Sequence, residues 1–256
     1  MSRRALILMY HIVDHPRAAD EAKYCCTPER FARQMAWLAE HHTPVSLDAL
    51  LHWLETGEGP ADPVAVTFDD GFAVTCENAL PVLERLKIPA TMFLVADRIG
   101  ADNDWMHQRG RPRRRLMDLA QIRAMEAAGV TMGSHTLTHP RLPECPPERK
   151  AREIADSRKR LEDQLGHAVE HFAYPYGLYD DQALELVRTA GYRSACSTRS
   201  GFNNPRVDRY QLRRIEVFGS DRLWQFRNKL RFGTNDDHWT LPLRYYAGRL
   251  RARLGG

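Results

Sequence analysis

The sequence predicts an α/β protein built on a parallel sheet. Two observations carry this. Short apolar runs alternate with helical patterns along the chain, several of them bounded by Gly, Pro or Asp. No fixed-period repeat or low-complexity tract divides the chain, so the length suits one α/β domain with a sizeable core, or at most two small ones.

The elements follow in order. Ala5–Tyr10 reads as a buried strand. Thr27 caps a helix that Pro28 opens, with Phe31, Met35 and Leu38 at helical spacing. Ser46 caps a second helix, Leu47–Glu55, and Gly57–Pro63 is a turn-rich loop. Val64–Phe68 is a strand ended by Asp69-Asp70-Gly71, a helix runs to about Lys87, and Ala90–Val95 is the next strand. Gly100–Arg115 is polar, Arg-rich and aperiodic, which marks a long loop near the site or a mobile flap. Leu116–Ala128 is helical, Val130–Met132 a strand, and Pro147–Leu165 a charged amphipathic helix closed by Gly166. Strand Val169–Ala173, helix Tyr179–Ala190, strand Tyr192–Cys196 and a last strand at Leu212–Val217 complete the pattern. Such alternation requires parallel strands joined by right-handed crossovers. A barrel, complete or not, and a doubly wound open sheet both satisfy it. Either way the chemistry belongs at the carboxyl ends of the strands.

Composition narrows the class. With 43% hydrophobic and 27% charged residues the chain reads as soluble and globular. The net charge of +4 is mild, but Arg109, Arg111, Arg113, Arg114 and Arg115 cluster, as do Arg244, Arg249, Arg251 and Arg253. These groups read as solvated surface, or as contacts for phosphates, acidic glycans or a membrane. No nucleic-acid motif accompanies them, so no nucleic-acid partner is expected. Leu241–Leu254 reads as a basic helical extension, residues 236–256, beyond a catalytic domain of residues 1–235. It is expected to dock on the domain, with a partner chain or peripheral membrane contact as the other options. Five cysteines, two of them adjacent and none in a CxxC, argue against a disulfide framework. The apolar run Ala5–Tyr10 is too short for a membrane span and lacks a small-residue cleavage site, so a cytoplasmic protein is expected.

Three pieces at predicted strand ends carry the chemistry. In Thr67-Phe68-Asp69-Asp70-Gly71 two adjacent carboxylates would normally point to opposite faces. At a strand tip the chain can turn, Gly71 permits unusual dihedrals, and both can then face one pocket. In Ser134-His135-Thr136-Leu137-Thr138-His139-Pro140 the histidines have the spacing of a bidentate metal clamp, and Pro140 favours a tight turn over a regular helix. Phe172-Ala173-Tyr174-Pro175-Tyr176-Gly177 can form a pocket wall. Two His and one Asp leave open coordination positions, which marks a catalytic rather than a structural metal site, and a neighbouring carboxylate can serve as base.

These motifs resemble the polysaccharide deacetylase (NodB-like) family: TFDDG at Thr67–Gly71, SHTxxH at Ser134–His139, and aromatic-Pro-Tyr-Gly at Tyr174–Gly177, in the family's order over roughly Leu6 to Val217. The resemblance implies a distorted, incomplete (β/α) barrel and metal-dependent removal of an N-acetyl group from an amino sugar or glycan. It implies Asp69 as general base and Asp70, His135 and His139 as ligands of a divalent metal, zinc first, with cobalt, nickel or iron as the other candidates. The Tyr176 backbone N–H would help hold the oxyanion. Two positions depart from the pattern. The third motif usually begins with an Arg that orients the base, and here that position is Ala173; the late Leu-x-x-His is absent, and His238 stands in another context. Met9-Tyr10-His11 is similar to an N-terminal Tyr-His motif of the poly-N-acetylglucosamine deacetylase branch, where the order of elements is permuted. His11 is therefore the expected general acid or its positioning partner, with His171 the weaker candidate. Trp105, Tyr174, Tyr176 and Tyr179 are candidates to stack on a sugar ring, beside Pro175; Trp37 and Trp53 are expected in the core or an interface. The competing readings are a deacylase of another N-acyl group on a lipid- or nucleotide-linked sugar, and a non-catalytic glycan-binding module.

Overall fold

Parallel strands buried on both faces organise the molecule. The structure is a computed structural model, describing residues 4–107, 110–236, 238, 240 and 241. The chain opens with β1 (Leu6–Tyr10), β2 (Ile12–Val13) and β3 (Cys25–Cys26), then α1 (Pro28–His41), β4 (Thr43–Pro44), α2 (Leu47–Thr56) and β5 (Pro63–Phe68). Next come α3 (Ala73–Leu86), β6 (Ala90–Leu94), α4 (Asp104–His107), α5 (Leu119–Ala127), β7 (Val130–Ser134) and α6 (Pro147–Leu165). The last elements are β8 (His171–Ala173), α7 (Asp181–Thr189), β9 (Ser194–Cys196), β10 (Ile215–Glu216) and α8 (Leu223–Phe232).

The main sheet runs β10-β1-β5-β6-β7-β8-β9, all parallel, with β4 beside the first residues of β5. Chain order is thus followed around the sheet, and β10 returns to the free side of β1. That is barrel order, not the reversal of a doubly wound sheet. The gap between β9 and β10 is narrowed by a single parallel bridge between Cys196 and Leu212. The result is the distorted, incomplete (β/α) barrel.

Alternation sorts the side chains. Leu6, Leu8 and Tyr10 of β1, Val64, Val66 and Phe68 of β5, and Phe172 of β8 join the helix-facing core with Phe31, Met35, Ile154 and Leu161. Ala5, Ile7, Ala65, Phe93, Ala173 and Cys196 point inward and meet Leu47, Leu50, Leu51, Trp53 and Leu54 of α2, which plugs the amino end of the barrel. Each fully buried large side chain there contributes about 1.5–3 kcal/mol. The predicted caps form: Thr27 Oγ1 accepts from Arg30 N and Ser46 Oγ from Ala49 N.

Several boundaries moved. The helix expected from Leu116 starts at Leu119, because Asp118 caps it with a capping box and Leu116 and Met117 are buried instead. The strands expected at Val169, Tyr192 and Leu212 are shorter, starting at His171, Ser194 and Ile215. The helix α8 carried no expectation. The segment from Gly100 to Arg115 is neither free nor wholly irregular. It contains α4, is bridged at Asp102–Arg115, and is anchored by Arg114. Arg114, expected on the surface, is 1% exposed: its guanidinium reaches both Glu21 oxygens (2.5 and 2.9 Å), Asp14 Oδ2 (2.7 Å) and the His15 carbonyl (3.0 Å). Arg109 and the extension's helix and arginines lie outside the described residues. Among the described residues no helix is long and apolar enough to cross a membrane.

Candidate active site

Strand parity directs Thr67 and Asp69 inward at the carboxyl end of β5. Asp70 would then face outward, but its backbone turns left-handed (φ 73°), followed by Gly71 at φ 77°. The positive φ of Gly71 is what makes glycine favoured here, and a Cβ would also crowd the Leu94 Cδ2 methyl at 2.9 Å. The consequence is that both carboxylates enter one cavity.

His135 follows β7, and its N–H donates to the Leu94 carbonyl (2.8 Å). Its Nδ1–H donates to the Ala173 carbonyl (2.7 Å), since a carbonyl can only accept. Nε2 therefore keeps its lone pair, facing Asp70 Oδ1 at 3.7 Å. The chain then makes a turn, not a helix: Thr136 and His139 are left-handed (φ 69° and 61°), and His139 N–H donates to Thr136 Oγ1. Glu153 of α6 holds the turn by accepting from the Leu137 and Thr138 N–H groups and the Thr138 hydroxyl. His139 Nε2 ends 3.2 Å from Asp70 Oδ1. Trp105 stacks on the His139 ring (4.8 Å) and Tyr176 meets it edge-on (4.6 Å). Four non-glycine residues of this cluster, Asp70, Thr136, His139 and Tyr176, are left-handed. Each costs on the order of 1–3 kcal/mol, and such strain concentrates at functional sites.

Asp69 is gripped by a residue that sequence reasoning missed. Arg214, fully buried just before β10, donates from Nη1 and Nη2 to the two Asp69 oxygens (2.6 and 2.8 Å) and from Nε to the Ser197 carbonyl. It thus supplies, from two strands away in the sheet, the bidentate partner that Ala173 cannot. The one signal was parity: Arg214 and Glu216 share a face opposite Ile215 and Val217, without marking which face is the interior.

Electrostatics follow from these contacts. Burial alone would raise Asp69, but Arg214, then His135 and His11, hold its carboxyl below the usual range. Burial opposes ionisation of Asp70 too, and His139, His11 and His135 overcome it. Burial pushes His135 down to about 4, so it is a neutral imidazole near pH 7. One ligand atom from each of Asp70, His135 and His139 lies within 4.8 Å of the others, and Asp70 Oδ1 is buried without a hydrogen-bond partner. Two imidazoles converging on a buried carboxylate oxygen that has no hydrogen-bond partner suit a divalent cation with open positions.

The cavity, about 370 Å³, is lined by this set together with His11, Tyr24, Trp105 and Tyr176. His11, at the end of β1, is half-buried with its ring edge-on to Tyr24 at 5.3 Å. The other expected positions divide. His171 is at the opposite end of the barrel, wholly buried, with Nδ1 on Ser194 Oγ and Nε2 3.3 Å from Asp48, so it cannot reach the reaction. With Asp48 and Glu170 it forms a second set of donors, but Arg193 already bridges those two carboxylates at 2.9 Å each. Tyr174 is corrected: parity turns it to the helix-facing side, where it is 0% exposed, packs on Phe172 and Tyr179, and donates to the Tyr210 carbonyl. It stacks on no sugar. Tyr179 lies against it, bonded to Gln211, and does not line the cavity. Pro175 is buried beneath the turn that presents Tyr176. Burial pushes the thiols of Cys25, Cys26 and Cys196 up to about 12, which rules them out as nucleophiles near neutral pH. Between α1 and α8 a cavity of about 350 Å³, lined by Arg4, Trp37, Trp224 and Arg227, lacks such a donor set.

Comparison with known proteins gives the same picture. Residues 56–195 match the family model described as polysaccharide deacetylase. A poly-beta-1,6-N-acetyl-D-glucosamine N-deacetylase of Staphylococcus aureus is 27% identical over 220 residues, covering 84% of this chain and 75% of that protein. Among solved structures, the Streptococcus pyogenes deacetylase PplD in complex with acetate is 25% identical with a TM-score of 0.77, covering 91% of this chain and all of that one. IcaB from Ammonifex degensii is 26% identical with a TM-score of 0.75, covering 91% and 98%. With its motifs converging at one barrel end and more than half its length matched, the chain belongs to the polysaccharide deacetylase family.

Proposed function

We propose that this protein hydrolyses the N-acetyl group of an amino sugar or glycan, with Asp69 as general base and a divalent metal, zinc first, held by Asp70, His135 and His139. The observation that carries the reading is the division of labour between adjacent carboxylates: Asp70 faces two imidazoles, while Asp69 is held apart by Arg214. When bound, such a metal supplies Lewis acidity that activates water near neutral pH and polarises an acyl carbonyl.

The chain's own residues do the rest. Arg214 fixes the orientation of Asp69 and keeps it ionised, ready to take a proton from water. The Tyr176 backbone N–H assists the oxyanion of the tetrahedral intermediate. His11, on the rim opposite the turn carrying His139, protonates the departing amine, a role imidazole suits near neutral pH. Trp105 and Tyr176 present aromatic surface to the sugar, Pro175 sets the turn of Tyr176, and Trp105 also shields His139. The same machinery serves another small N-acyl group, and a cytoplasmic setting would favour small or carrier-linked sugars.

The test measures acetate release from N-acetylated amino sugars by the metal-loaded protein, with metal content read by elemental analysis. His11→Gln is expected to lower kcat about a hundredfold with metal content unchanged. A fully metallated wild-type protein that releases no acetate or other acyl acid would overturn the reading in favour of a glycan-binding module.

A further inference from the structure

The wall of the cavity beside His11 carries charge that deacetylation does not need. Lys23 and Arg111 both line the cavity, and both lie over the ring of Tyr24, the tyrosine that flanks His11: Lys23 Nζ is 5.3 Å from the ring centroid and Arg111 Cζ 4.9 Å. Two cations thus meet over Tyr24 at the edge of the site, with Lys23 shared with the Phe218 ring at 4.7 Å. Each has one long ion pair, beyond hydrogen-bond length: Arg111 Nε is 3.7 Å from Asp20, and Lys23 Nζ is 3.8 Å from Glu216, which also lines the cavity. Neither pair satisfies its cation as Arg214 is satisfied by Asp69 at 2.6 Å. Arg111 is also only 20% exposed, so it is partly withdrawn from the water that would otherwise solvate it.

A neutral glycan can take hydrogen bonds from such a wall through its hydroxyls but brings no charge to match the two cations. Two cations flanking one ring match a ligand that brings two negative charges to the same place. A carboxylate brings one. A phosphate ester or diphosphate brings about two and offers several acceptor oxygens to a guanidinium and an ammonium. We propose that the substrate is an N-acylated amino sugar carrying a phosphate ester or diphosphate, held by Lys23 and Arg111 beside His11. This rests on the deacetylase reading and deepens it. A nucleotide and a lipid carrier present the same diphosphate chemistry to this wall.

The experiment compares kcat/KM for acyl release by the metal-loaded protein on four substrates. These are a neutral β-linked N-acetylglucosamine oligomer, N-acetylglucosamine 1-phosphate, a nucleoside-diphosphate N-acetylglucosamine, and a short polyprenyl-diphosphate N-acetylglucosamine. At least one phosphorylated substrate is expected to exceed the neutral oligomer by about tenfold or more. The last two arms tell the carriers apart. The preference should fall as ionic strength rises, a readout that needs no variant. It should collapse in the Lys23→Ala/Arg111→Ala double variant and largely survive in Arg111→Lys. Equal rates on neutral and phosphorylated substrates, or a double variant that loses both alike, would overturn the proposal while leaving deacetylation standing. No acyl release from any of the four would instead remove the deacetylase reading itself.

Discussion

The two ends of this barrel are built from the same inward-facing positions and used in opposite ways. At the amino end those positions are Ala5, Ile7, Ala65 and Phe93, sealed by the apolar face of α2. At the carboxyl end they are Asp69, His135, Arg214 and, through a left-handed turn, Asp70, all at most 5% exposed. One end gains stability from close packing; the other retains buried charge and strained backbone. Histidine occurs at both ends: His171 at the closed end meets Ser194 through Nδ1 and lies 3.3 Å from Asp48, while His135 and His139 converge on one oxygen of Asp70 inside the cavity. Residue type alone therefore does not mark a site in such a fold; position along the barrel axis does.

The contrast can be broken most severely at the open end. Asp69→Asn is expected to reduce acyl-release kcat by between a hundredfold and ten-thousandfold while metal content, read by elemental analysis, stays near one per chain. Asp70→Ala should lose the metal as well. If Asp69→Asn turned over at the wild-type rate, the base assignment would be wrong.

The closed end should respond in stability instead. Trp53→Ala is expected to cost about 3–5 kcal/mol in chemical denaturation, with kcat/KM of the folded fraction unchanged. A matching fall in kcat/KM would mean the two ends are not independent. Arg214→Met tests both properties at once. It removes one partner of a buried ion pair, which costs about 3–5 kcal/mol, and it also frees Asp69, so kcat should fall more than KM changes. Loss of stability without loss of kcat would make Arg214 structural only.

The smallest effect concerns Arg114, which ties the segment bearing Tyr24 to the one bearing Trp105. Burial favours protonation of Asp14 and Glu21, but Arg114 holds both carboxyls below their usual range. A depressed folded-state pKa contributes stability above the unfolded value of about 4 and loses it as pH falls through the folded value. The Tm gap between wild type and Arg114→Met should thus be widest above about pH 5 and narrow toward pH 3. A gap independent of pH would show that the ion pairs are not its source.

What the chain's order of residues determined was local. Helix starts at Thr27 and Ser46 and the strand-helix alternation were legible, because caps and periodicity act within a few residues, and the candidate donors Asp70, His135 and His139 were named through the motif resemblance. Tertiary structure decided what depends on segments distant in sequence meeting: the barrel order with β10 beside β1, the grip of Arg214 on Asp69 across 145 positions of sequence, the burial of Arg114, and the turning of Tyr174 away from the cavity. The physical reason is the two-residue period of a strand. It tells which neighbours share a face, but only the closed sheet tells which face becomes the interior and what stands opposite.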